Sequence, residues 1–168
     1  MQCQLDFREL AMKDDIPSIM PHRGKMLLLT KVNEYDLQKD SIEAEYHLAE
    51  DCLFYDPVAD GIPAWVGFEL IAQTVSAYMG IKTLARGEPV KLGFILGVSG
   101  VHIGLPFFKT GSIIVIKAKE FESMDPLYVY TGEIFIGGKK VLEGKLTVME
   151  VNNEKALAMK EGSDTIER

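Results

Sequence analysis

GIPAWVGFELIAQTVSAYMG, residues 61–80, is the stretch whose reading decides the fold. Between Asp60 and Lys82 the only charged residue is Glu69. Apolar residues fill the stretch without the alternation of a strand, which predicts a helix buried on nearly every side. Pro63 stands near its start, where a missing N–H costs nothing, and Gly80 near its end. Despite the length, Glu69, Gln73, Thr74 and Ser76 argue against a membrane span. Glu69, Gln73, Ser76 and Gly80 follow i, i+4, i+7, i+11 spacing and share one face. Val66, Leu70, Ile71 and Val75 form the opposite face and need a core. A lone carboxylate on such a helix is costly unless it is partnered or used. Glu69 is therefore the first candidate for chemistry.

Around this helix the 168 residues fit one domain, 1–151, with a polar tail over 152–168. A net charge of −7 argues against a nucleic-acid or anionic-membrane partner. Cys3 and Cys52 suggest no disulfide framework, and no CxxC or Cys/His cluster suggests a metal site. His22, His47 and His102 are too scattered for zinc, and no cofactor is expected. The N-terminus lacks an apolar signal core, so a cytoplasmic location is expected.

In chain order, residues 1–13 read as a short amphipathic helix and Asp14 to Gly24 as an entry loop broken by Pro17 and Pro21. Strands are expected over Met26–Asn33 and Ser41–Leu48, then a turn-rich loop from Glu50 to Asp60 feeding the helix. After a loop at Ala85–Val90, a strand runs over Leu92–Val98 and continues after Ser99-Gly100 as Val101–Gly104. LPFFKTGS, from Leu105 to Ser112, reads as a turn, followed by strands at Ile113–Phe121, Leu127–Ile136 and Lys140–Val151. In the last of these Leu142, Leu146 and Val148 should point inward, and Glu143, Lys145 and Thr147 outward. Two strands, one buried helix and a run of strands predict an α+β domain whose mostly antiparallel sheet wraps the helix. Such a sheet leaves an open face and an edge, which predicts a dimer.

Two motifs carry a family resemblance. Pro21-His22 followed by Met26-Leu27-Leu28-Leu29 is one; Gly61-Ile62-Pro63-Ala64-Trp65 with Glu69-Leu70-Ile71-Ala72-Gln73-Thr74 is the other. Together they resemble the hotdog-fold 3-hydroxyacyl-[acyl carrier protein] dehydratases, and most closely the dehydratase-like proteins of aryl-polyene gene clusters. Leu105 to Ala118 adds a weaker echo, and the resemblance spans residues 16–151. It implies an acyl-carrier-protein thioester as partner, a homodimer or a heterodimer with another hotdog subunit, and a role in fatty-acid or polyene synthesis. The implied reaction is syn loss of water, in which a histidine takes the C2 proton and a carboxylate assists departure of the C3 hydroxyl.

On this resemblance Glu69 is the catalytic carboxylate, and Gln73 orients it or packs at a subunit interface. The amides of Ala64, Trp65 and Val66, at the expected helix start, are candidates to polarise the thioester carbonyl. The family's usual histidine falls on Tyr55, in Phe54-Tyr55-Asp56-Pro57, leaving Tyr55 as tunnel wall or hydrogen-bond donor. His22 is then the replacement base, expected to approach Glu69 from across the dimer at about 6–8 Å, or else a loop-pinning residue. His47 and His102 read as packing residues, and Asp56 and Asp60 as turn formers. Phe54, Trp65, Phe68, Phe94, Phe107 and Phe108 are read as core or as tunnel wall. A non-catalytic acyl-binding subunit and an acyl thioesterase are the alternatives.

Overall fold

Ile62 precedes a proline, and this biases it toward extended backbone. Accordingly, in the computed structural model, which describes residues 15–151, the decisive stretch does not begin as a helix. Gly61–Pro63 is a short strand, β3, and Ala64–Val66 a 3-10 turn; only then does the helix proper begin. A four-residue helix, Ile16–Ile19 (α1), precedes it in the chain, so the central helix is α2, Gly67–Ala85. Nothing in the sequence stops α2 at Gly80, and it runs on to the turn at Gly87, where φ is +75°. Gly80 has another use. A Cβ there would collide with the carbonyl oxygen of Ile19, so this glycine lets the N-terminal segment lie against the helix.

Strand β1 is Lys31–Asp36, β2 Ser41–His47, β4 Leu92–Ile103, β5 Phe107–Lys109, β6 Ile113–Met124, β7 Leu127–Ile136 and β8 Lys139–Val151. Six of them form one sheet in the order β1-β2-β6-β7-β8-β4, every pairing antiparallel. The expected α+β architecture, with a sheet wrapping one central helix, is present. Alternate residues of the sheet turn onto α2: Ile42, Ala44 and Tyr46 from β2, Ile114 and Ile116 from β6, Tyr130 and Ile134 from β7, and Leu142, Leu146 and Val148 from β8. They bury Leu70, Ile71, Val75 and Tyr78 of the helix, each large aliphatic contributing about 1.5–3 kcal/mol. The inward set expected for the last strand is the one observed.

Two strand assignments are corrected. Gly24–Met26 is a 3-10 turn and β1 begins only at Lys31, although Leu28 and Leu29 are buried. The reason lies in the hydrogen bonding: the Leu28 N–H is bonded to the side chain of Gln73 on the helix, not to a neighbouring strand. Within the expected turn, Phe107–Lys109 is instead β5, pairing with β3 so that Ile62 and Phe108 lie opposite each other and fully buried. The strand expected to continue past Ser99-Gly100 is β4, with register shifts between Ile95 and Gly97 and between Ser99 and His102. It is the edge of the sheet, and Phe94, Ile95, Leu96, Val98, Val101 and Ile103 on it are all exposed.

The helix expected at residues 1–13 and the tail from residue 152 lie outside the described residues. Among the described residues no helix is long and apolar enough to cross a membrane.

Candidate active site

The entry loop is anchored before it reaches the helix. Ile16, Ile19 and Met20 are buried. Arg23 folds back and donates to the carbonyls of Pro17, Met20 and His22 at 2.8, 2.6 and 2.7 Å. A guanidinium spread over three carbonyls closes the loop on itself, because its planar fork reaches several acceptors at once. His22 is thereby held on the side facing α2.

Gln73 carries the opposing half. Its side chain is fully buried, and both ends are engaged. Oε1 accepts from the Leu28 N–H at 2.9 Å; Nε2 donates to the Met26 carbonyl at 2.7 Å and to Glu69 Oε1 at 2.8 Å. One amide one helical turn from the carboxylate therefore orients Glu69 and ties the segment after His22 to the helix.

His22 Nε2 lies 3.6 Å from Glu69 Oε1, in the same chain, and both side chains are 26% exposed. The separation is too long for a hydrogen bond and too short for the expected span, and the approach is not from across a dimer. The chain brings the two together by itself because Arg23 and Gln73 tie the loop down over the first turn of α2. Burial lowers the imidazole pKa below its usual 6.5; the Glu69 charge opposes that shift and the Arg23 charge adds to it. His22 is thus mainly neutral at pH 7, and its Nδ1 is buried without a partner among the described residues.

The pair opens into a cleft of about 90 Å³ whose lining includes Ala72, Val75, Ser76, Met79, Ile95 and Lys91. Glu69 and Met79 are ten residues apart, so this cleft follows about 15 Å of helix axis. β4 forms its outer wall through Gly93 and Ile95. The aromatics read as tunnel wall do not line it: Phe108 is core, Phe94 is exposed, and aliphatic side chains take their place. A groove of about 390 Å³ on the outer sheet surface is larger, but its charges largely satisfy one another: Lys117 pairs with Glu43 at 3.0 Å and Lys39 with Asp36 at 3.2 Å. The smaller cleft holds the coherent chemistry.

Of the other candidates, Ala64 is corrected outright. Its N–H donates to the Pro106 carbonyl at 2.9 Å and is not available to a thioester. The cause is β3, which the helix reading had hidden: pairing with β5 carries Ala64 against the residue before that strand. Trp65 and Val66 follow Ala64 in the 3-10 turn, where leading N–H groups lack an intrahelical acceptor. Trp65 is 59% exposed and packs edge-on against Phe54 at 5.9 Å, while Val66 is buried. Tyr55 is outside the cleft, its hydroxyl 3.3 Å from Asp60. His47 meets Glu45 at 2.8 Å on the surface, and His102 sits on exposed β4 opposite Glu143. Lys91 escaped the sequence reading, since one of its partners, Glu150, is remote in the chain.

A family model described as ApeP-like, ApeP dehydratase, matches residues 14–159. The 3-hydroxyacyl-[acyl-carrier-protein] dehydratase FabZ of Chlamydia muridarum is 29% identical over 144 residues, covering 83% of this chain and 92% of that protein. FabZ of Thiobacillus denitrificans is 28% identical over 137 residues, covering 79% and 92%. Among solved structures, the dehydratase heterocomplex ApeI:P from Xenorhabdus doucetiae matches with a TM-score of 0.78 at 22% identity, over 86% of this chain and 95% of that one. At that identity the match speaks for the hotdog fold alone.

Proposed function

The chain belongs to the ApeP-like dehydratase family, and from that premise we propose that it dehydrates 3-hydroxyacyl thioesters of acyl carrier protein with His22 and Glu69 as its catalytic pair. The observation that carries this reading is the 3.6 Å approach of the His22 imidazole to the Glu69 carboxyl group, which Gln73 orients, inside one cleft. His22 Nε2 takes the C2 proton as the C2–C3 double bond forms. The C3–O bond breaks and the hydroxyl leaves as water with a proton from Glu69. The pair must therefore begin with its proton on the carboxyl; afterwards the imidazolium returns one to the carboxylate. A substrate lying across the two groups, rather than between them, meets both on one face. That suits syn elimination and removes the need for a 6–8 Å gap.

Closure of the cleft falls to a second hotdog subunit. β4, an apolar edge strand exposed along almost its whole length, supports a dimer through that edge. A second reading has one observation in its favour: Tyr55, at the family's histidine position, and Ala64, with its amide engaged, contribute nothing to the cleft. On that reading the chain is an acyl-binding subunit whose partner supplies the chemistry.

The test is turnover of a 3-hydroxyacyl-carrier-protein by the purified chain, with light scattering on the same sample to report a dimer mass. Glu69→Gln, which can still accept from Gln73, and His22→Ala should each reduce turnover by about 10² or more while melting stays close to wild type. Full turnover in both variants sinks the pair. No turnover by the chain alone, restored when a hotdog partner is added to either variant, establishes the second reading.

A further inference from the structure

Among the described residues β4 is the only strand of the six-stranded sheet without an Asp, Glu, Lys or Arg residue. The opposite edge, β1, carries Lys31, Glu34 and Asp36. Charges on an edge strand discourage other chains from adding to it, so β4 is the edge left open to pairing. Its exposed side chains from Phe94 to Ile103, with Trp65, present on the order of 700 Å² of apolar surface. That is more than the roughly 300–600 Å² of a typical monomer's largest patch. It approaches the ~800 Å² that each partner gives to a stable interface. Turned through a two-fold, such an edge offers the same unpaired N–H and C=O groups to a copy of itself, which makes it self-complementary.

The chain's own geometry sets what the second copy brings. α2 and β4 run in opposite directions. At the start of α2, a Cβ on Gly144 would meet the Phe68 ring at 2.9 Å and the Ser99 carbonyl at 3.5 Å. Further along α2, Met79 shares the cleft with Gly93 and Ile95, near the start of β4. A two-fold between Gly97 and Val98 pairs β4 with its copy over the whole strand. It sets the second copy's Gly100 beside Ile95 and its His102 beside Gly93. The start of that copy's α2 then arrives level with Ser76 and Met79 of this chain. Trp65 stands about a turn before Phe68; it is 59% exposed and lies outside its own chain's cleft. We propose that the Trp65 indole roofs the cleft of a second copy, over Ser76 and Met79, and keeps water from the His22–Glu69 pair there. This rests on the cleft being the active site, as proposed above.

Trp65 is the only tryptophan in the chain, so its fluorescence reports on the roof directly. The full chain is diluted through dimer dissociation, followed by sedimentation, while Trp65 emission and its quenching by acrylamide are read. Dimer formation should move the emission to shorter wavelength and reduce quenching severalfold. A second arm mixes Trp65→Ala with Glu69→Gln chains, each of which alone should turn over a 3-hydroxyacyl-carrier-protein at least about tenfold more slowly than wild type. In a mixed dimer the Trp65→Ala chain keeps its pair and receives an intact indole. An equal mixture should therefore recover about a quarter of wild-type turnover, since about half the dimers are mixed and each has one complete site. No recovery on mixing, with an active wild type, puts the indole to work in its own chain and overturns the proposal. A Trp65 as quenchable in the dimer as in the monomer overturns it too. So does a chain that stays monomeric at every concentration, or that pairs only with a different hotdog subunit. A wild type without turnover sinks the dehydratase reading instead, and the fluorescence arm alone then decides whether the second copy covers Trp65.

Discussion

Replacing Gln73 by leucine isolates the bonds that hold the catalytic loop to the helix. The two side chains are close in size, so no large cavity forms at this fully buried position. Three bonds disappear: Leu28 N–H to Oε1, and Nε2 to the Met26 carbonyl and to Glu69. The Leu28 amide is buried and loses its partner, at about 1–3 kcal/mol. The Met26 carbonyl and the Glu69 carboxylate are only part-buried, so water recovers much of their loss. The sum is about 2–4 kcal/mol, or roughly 5–15 °C of melting temperature for a domain of this size. Differential scanning calorimetry measures the shift, and turnover should fall further than stability alone explains, because Glu69 loses the donor that orients it. Gln73→Glu, which can still accept from Leu28, should recover part of the stability at pH low enough for the two adjacent carboxyls to share a proton, and lose it as pH rises and both ionise. A Gln73→Leu protein melting within about 1 °C of wild type would refute the account of how the loop is held.

Burial lowers the His22 pKa, so below about 6.5 the unfolded chain binds the proton more readily than the folded one. Stability from this group is complete above that pH and is lost as pH falls from it toward the folded value. Denaturant titrations across this range should show a steeper acid loss for wild type than for His22→Gln; parallel curves contradict the assignment. Gly80→Ala should destabilise the fold, despite alanine's higher helix propensity, because the new methyl group strikes the Ile19 carbonyl. A stabilised Gly80→Ala variant in thermal melts would mean the N-terminal segment does not lie there. Gly80→Ala should also lower turnover, since Arg23 bonds the His22 loop to the segment that packs on Gly80.

How much was legible in the chain divides along a physical line. A charge-poor stretch with one glutamate, strands alternating at period two, and turn residues between them were sufficient for an α+β domain with a sheet around one helix. Those signals are local, and burial follows them directly. The same reading set Glu69 and Gln73 on one helix face, a turn apart, because spacing along a helix is geometry. What the sequence could not settle were the pairings between remote segments. The Leu28 amide went to a helix side chain and β3 found β5, so a strand start and a helix start both moved. His22 and Glu69 are 47 residues apart in sequence, and only a loop clasped by Arg23 and Gln73 sets them 3.6 Å apart within one chain. Lys91 meets Glu150 only across the sheet. Periodicity records which way a side chain points; what it meets there depends on chain closure, and that is a property of the fold.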